Sequence, residues 1–483
     1  MSESWLLQGG LIVDGSGATP AWRGDVLLQD DRIVAMGEAL TSVSARRLDC
    51  SGKVVAPGFI DVHTHDDALV LEQPDCLPKI SQGITTVVAG NCGISLVPLL
   101  TKAPQPPLNL LGRTGFRFSS FAAYQEAVNE AMPAVNVVSL IGHTALRFAV
   151  MGCDIDRAAS AAELARMEAL LDAAMAEGAQ GLSSGLFYQP AAAAPTAEVL
   201  ALARIVARHG GVYASHLRDE MAAILEAMHE AADTAFEAGV PLIFSHHKCA
   251  GPSNWGRTRE TLPLIDRFAE RQGVGLDVYP YLAGSTVLRE DLVDGVIEVL
   301  LTWSEPYPEL GGRSLADIAA NWGVDQKEAC RRLQPGGACY FQMHEDDVER
   351  VLAHRLTMIG SDGLPHDRHP HPRLWGAFPR VLARYWRERG LFTLEQAVHK
   401  MTGLSARQFR LHQRGELRPG WAADVVVFDP QRVQDLASFE APLLRSQGIE
   451  AVFVNGRQAY DGGMAVLTRA GRALRRSSGR RQG

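Results

Sequence analysis

The chain is poor in lysine: Lys53, Lys79, Lys102, Lys248, Lys327 and Lys400 are all it has. It also lacks any apolar run of about 18–20 residues, which argues against a membrane-spanning helix. The opening MSESWLLQGGLIVDG reads as a strand and turn rather than a charged start followed by an apolar core, so no secretory leader is expected. There is no Cys-x-x-Cys pair. The cysteines (Cys50, Cys76, Cys92, Cys153, Cys249, Cys330 and Cys339) are scattered and odd in number, which argues for a reducing cytoplasm and against a disulfide framework. Most are expected to be core thiols. The net charge of -8 gives no reason to expect nucleic acid as a partner. One basic stretch, RAGRALRRSSGRRQG at the C-terminus, is diluted by Gly and Ser, so 471–483 is expected to be a flexible, solvated tail.

What is present is an ordinary globular composition, 46% hydrophobic and 21% charged, on 483 residues. That length suggests two or three units, or an α/β barrel with a companion domain. Residues 1–57 and 415–470 carry short β-type runs with Gly and Asp turns, such as LLQGGLIVDG and ADVVVFDP. These are expected to pair into a small β-sandwich. Between them, apolar runs of 5–8 residues alternate with helical segments such as AAELARMEALLDAAMAEG. Eight runs stand out: VVAPGFIDVHTH, ITTVVAGNC, NVVSLIGHT, GAQGLSSGL, VYASHLR, PLIFSHHK, VGLDVYPY and LTMIGSDG. Near-continuous apolar character is what strands buried on both faces show, and eight of them predict a closed (β/α)8 barrel over 58–414. The gap at about 282–355 is too long for a βα connection and is expected to be an inserted helical lid.

Almost every run ends in a polar or ligating residue, as chemistry at the carboxyl end of a barrel requires. His63 and His65, two apart on one strand, share a face and can reach one ion. His216, His246 and Asp362 end the fifth, sixth and eighth runs, and Cys92 follows the second among small residues. Each alone has a plain structural explanation; together they point to a metal centre. Thiolate with imidazole suits zinc better than magnesium or calcium. His247 should face away from His246. With His143, His209, His229, His354 and His366 it is read as structural.

At these residues the chain resembles the amidohydrolase superfamily. Further stretches, NCGISL, SHHK, NWGR, DVYPY, GSDGLPHD and HPRLWG, are similar to the N-acyl-D-amino-acid deacylases (D-aminoacylases) across residues 5–460. No lysine lies near GAQGLSSGLF to bridge two metals, and the resemblance implies that Cys92 takes that place. Cys92, His216 and His246 would hold one zinc tightly, while His63 and His65, sharing Cys92, would form a weaker second position. Asp362 would move the proton from water to the leaving nitrogen. By resemblance, Lys248, Tyr279, Ser285 and Arg373 hold the substrate carboxylate. Leu300 and Leu301 suggest neutral or hydrophobic D-side chains, and Arg289, flanked by acids, is expected to be salt-bridged. The alternatives are an N-acyl-D-glutamate or D-aspartate deacylase and, less favoured, a hydantoinase-like cyclic-amide hydrolase. The expected partner is a small-molecule N-acyl-D-amino acid, with neither nucleic acid nor membrane, and the sequence leaves the oligomeric state, monomer or larger, open.

Overall fold

The computed structural model describes residues 3–463 and 465–477. Eight parallel strands form its centre: β1 (Phe59–Asp61), β2 (Ile84–Ala89), β3 (Asn136–Gly142), β4 (Gly181–Gly185), β5 (Val212–His216), β6 (Leu242–Phe244), β7 (Val274–Val278) and β8 (Thr357–Ile359). Each pairs with the next in parallel register. The first and last strands meet where Val62 N–H donates to Ile359 O over 3.4 Å and Thr64 bridges Gly363. Every residue in these strands is buried, so the sequence shows continuous apolar runs instead of alternation. All eight expected runs become barrel strands.

Helices cover the ring. Ala161–Ala176 starts at a capping box in which Ser160 and Glu163 each accept the other's backbone N–H. Thr196–Arg208 turns Val199, Leu202, Ala203 and Val206 inward at helical spacing. Among the described residues no helix is long and apolar enough to cross a membrane.

The two ends of the chain pair as expected, but as one hydrogen-bonded sheet of eight strands instead of two. Val54–Pro57 lies inside it, parallel to the end of Ser4–Ile12 and antiparallel to Val425–Phe428. Trp5, Leu7, Val26, Val55, Val425 and Phe453 share a core on this sheet, with the Trp5 and Phe453 rings edge-on at 5.2 Å. The chain passes from Val54–Pro57 directly into β1, so sheet and barrel are joined without a linker.

Two expectations are corrected. The insertion is not simply helical. Its floor is an antiparallel sheet of Gly284–Val287, Gly336–Tyr340 and Val299–Ser304, against which Leu315–Trp322 and Gln326–Leu333 pack. The β-branched and aromatic residues of GSTV and VLLTWS favour the pleated surface. The basic tail is also anchored farther than composition suggested. Leu474 N–H donates to Val137 O, and Arg476 donates to the carbonyls of Met175, Ala179 and His209. Residues 478–483 lie outside the described residues.

Candidate metal centre

The carboxyl ends of β1, β5, β6 and β8, with the loop after β2, converge on one buried cluster. Cys92 Sγ lies 3.1 Å from His63 Nε2 and 3.3 Å from His246 Nε2, which in turn lies 2.9 Å from His216 Nδ1. His65 Nε2 is 3.2 Å from Asp362 Oδ1. Two zinc bonds of about 2.0–2.3 Å at a tetrahedral angle set their donors roughly 3.3–3.6 Å apart. The donor atoms of Cys92, His216 and His246 all lie within 4.8 Å of one another, and so do those of His63, His65 and Cys92. The donor set therefore fits zinc at two positions that share the sulfur.

The backbone is shaped for this. Cys92, His246 and Asp362 all sit at positive φ (55°, 33° and 50°), a region non-glycine residues rarely adopt outside overdetermined sites. Gly185 lets the Cys92 loop cross β4: a Cβ there would lie 2.1 Å from Cys92 O. Asp277, on β7, accepts the His246 backbone N–H at 2.9 Å and lies 3.1 Å from His63 Nδ1, fixing that ring's orientation.

Charge organises the rest. Burial alone would push the Cys92 thiol up, but His63 and His246 outweigh it and hold it well below its ordinary value. Burial likewise opposes ionisation of Asp362, yet Arg373, with His63 behind it, keeps the carboxyl well below the usual range. Arg373 Nη2 lies 2.9 Å from Asp362 Oδ2 and 3.1 Å from Ser285 O, and the guanidinium stacks 4.4 Å over the Tyr279 ring. Among the described residues, Ser285 Oγ and Arg373 Nε and Nη1 are buried without a hydrogen-bond partner.

Lys248 does enter the mouth, but its ammonium is already engaged. It donates to Glu220 Oε1 at 2.7 Å and His246 O at 2.9 Å, and lies 2.9 Å from His246 Nδ1. Of the histidines read as structural, His247 Nε2 is 2.8 Å from Thr261 Oγ1, His143 pairs with Glu198 and His209 with Asp172, whereas His366 Nε2 is buried with no hydrogen-bond partner among the described residues. All seven cysteines are free, and only Cys153 is exposed.

Residues 46–460 match the amidohydrolase family. The chain belongs to that family. It is similar to a D-aminoacylase of Alcaligenes xylosoxydans xylosoxydans, 51% identical over 98% of each chain. It is also similar to a solved D-aminoacylase described as having a binuclear metal centre, 51% identical with a TM-score of 0.95 over 98% of this chain and 99% of that one. A solved N-acyl-D-glutamate deacylase of Bordetella bronchiseptica, complexed with zinc and a phosphonate inhibitor, is 47% identical with a TM-score of 0.92 at the same coverage.

In this amidohydrolase, sequence reading missed Glu220 and Asp277. Both left a signal: Glu220 follows His216 by four residues, and Asp277 is an acid inside an otherwise apolar run. The apolar lining is a correction. Leu301 is buried in the insertion's own core, and neither it nor Leu300 lines the small chamber over the Cys92–His216–His246 cluster. Phe187, Met221, Leu292 and Tyr340 line it instead. Arg289 is salt-bridged to Asp291 at 2.6 Å, as expected.

Proposed function

We propose that this amidohydrolase hydrolyses N-acyl-D-amino acids to a carboxylate and a free D-amino acid. The observation that carries the reading is the buried Asp362–Arg373 pair beside the thiolate–imidazole cluster. In this reading Cys92, His216 and His246 hold one zinc tightly. His63 and His65, sharing Cys92, hold a second more weakly, because neutral imidazoles and a shared thiolate offer little anionic charge to another dication. A zinc bound there supplies a Lewis acid for the amide carbonyl and lowers the pKa of water toward about 7.

Asp362 accepts the proton of the attacking water on its carboxylate. As the C–N bond breaks, Asp362 delivers that proton to the departing nitrogen, since an amine leaves poorly as an anion. Arg373, which has donors to spare behind the chamber wall, supplies the positive charge for the substrate carboxylate, with Ser285 Oγ and Tyr279 lining the chamber beside it. Lys248 adds positive potential and holds His246 in place. With carboxylate and scissile carbonyl both held, one enantiomer alone directs its side chain into open space. That space is bounded by Phe187, Met221, Leu292 and Tyr340, which suits neutral or hydrophobic D-residues such as leucine, methionine or phenylalanine.

The second reading is an acidic D-side chain. Its support is Arg289, stacked 4.2 Å over the Phe187 ring at the chamber wall, although Asp291 already pairs with it. We place the enzyme in the cytoplasm, on the strength of cysteines without a disulfide among them. The deciding experiment is a panel of N-acetyl-D- and N-acetyl-L-methionine, -leucine, -glutamate and -aspartate, with hydantoin, run beside metal analysis of the same protein. Turnover of D-methionine or D-leucine above the acidic and L substrates is expected. Activity on hydantoin alone would refute the reading.

A further inference from the structure

Tyr188 separates two cavities and lines both. The inner chamber, over the metal-ligand cluster, holds only ≈ 40 Å³. That is room for a few waters, at roughly 10–15 Å³ each. The outer cavity, between the loop at 102–113 and the inserted sheet, holds ≈ 910 Å³. The partition is the Tyr188 ring plus its hydroxyl contact with Thr286 Oγ1, 3.0 Å away on the inserted strand Gly284–Val287. Thr286 faces the inner chamber, while Val287 and Leu288 face the outer one.

The position of this partition around the barrel is informative. Tyr188 follows β4; Asp362 and Arg373 follow β8, diametrically opposite in a ring of eight. A substrate whose carboxylate lies on the β8 side and whose carbonyl lies at the central cluster must direct its acyl tail toward β4. There it meets Tyr188, whose ring centroid is 5.1 Å from that of His216. Most charges around the outer cavity are paired, Arg113 with Glu305, Arg289 with Asp291 and Glu290 with Arg331, each at 2.6 Å, while Lys102 lines it outside these pairs. Pro104, Pro107, Pro335, Val287 and Leu288 supply apolar wall between them. A wall of paired charges and apolar residues with one lysine to spare disfavours a cationic chain and accepts a neutral one.

We propose that the outer cavity is an acyl subsite. The preferred substrates are then N-acyl-D-amino acids whose acyl group is an extended neutral chain longer than acetyl, passing the Tyr188–Thr286 partition. This rests on the deacylase reading above and adds the acyl class to it.

The test is kcat/KM of the zinc-loaded full chain on N-acetyl-, N-butyryl-, N-hexanoyl- and N-octanoyl-D-methionine. Each methylene leaving water contributes up to roughly four-fold, so a rise of about ten-fold or more from acetyl to octanoyl is expected. Ala103→Trp and Gln189→Trp alter exposed positions of the outer wall and should cut the octanoyl-to-acetyl ratio by roughly five-fold or more, by refilling that volume. Thr286→Val removes the hydroxyl that Tyr188 contacts and should raise the ratio. Competitive inhibition by octanoate against acetate gives a second readout that needs no turnover of a long substrate. A wild-type ratio at or below one, or a ratio unmoved in both tryptophan variants, overturns the subsite. Lack of turnover of every N-acyl-D-amino acid, acetyl included, overturns the deacylase reading itself and the subsite with it.

Discussion

Arg373 Nη2 lies 2.9 Å from Asp362 Oδ2, and both side chains are buried. The cation fixes the carboxylate in its ionised form and turns the other oxygen toward His65, 3.2 Å away. The same guanidinium keeps Nε and Nη1 without partners. One arginine therefore orients the proposed base and has donors left for a second anion.

Asp362→Asn keeps the shape of the base and removes its proton affinity. We expect kcat on N-acetyl-D-methionine to fall by about 10²–10⁴, the usual contribution of a positioned general acid–base. The zinc-to-protein ratio should stay at the wild-type value, because Cys92, His216 and His246 are untouched. Wild-type turnover in this variant would remove Asp362 from proton transfer.

Arg373→Ala should act on binding and on the base together. It strips a buried carboxylate of its partner, a change that costs about 3–5 kcal/mol in comparable buried pairs. KM should rise strongly and kcat/KM fall by about 10²–10³, with Arg373→Lys intermediate, since lysine keeps the charge and loses the planar fork. Steady-state kinetics decide it: an unaltered KM in the alanine variant would show that the substrate carboxylate is held elsewhere.

Chelation should abolish activity, and zinc should restore it. If Cys92, His216 and His246 form the tight position, recovery should plateau near about one equivalent, with a second bound only at higher free zinc. Titrating the metal-free enzyme while following activity and zinc content checks this. A plateau that requires two equivalents would mean that the His63–His65 position is equally necessary.

Away from the site, Lys400 sets a pH dependence of stability. It is 5% exposed, donates to His354 O at 2.5 Å, and is pulled by burial from 10.5 to about 8. Between these two values the unfolded chain binds more protons than the folded one, so stability rises with pH across that window. Below pH 8 the burial penalty is present in full, up to roughly 3 kcal/mol. Relative to Lys400→Met, the wild type should therefore gain about 1–3 kcal/mol between pH 7.5 and 10.5 in urea unfolding. A stability difference that stays constant over this range would contradict the shift.

Much of this protein is written locally in its chain. Eight apolar runs, almost all ending in His, Asn, Cys, Ser, Tyr or Asp, specify strands buried on both faces with chemistry at one end. The donor types in the His63-Thr64-His65 spacing, two imidazoles on a common strand face near a thiol and an acid, already select a soft-ligand metal. Tertiary structure decided what those residues touch. His65 meets Asp362 across 297 positions only because β1 and β8 close the ring. Glu220 claims Lys248, Asp277 orients His63, and Tyr188 walls off the outer cavity for the same reason: each contact joins residues from different strand ends. Leu301 was misread because its direction depends on strand register. Pairing with Ala338 directs its side chain into the insertion's core, and register is a property of the neighbouring strand as much as of its own.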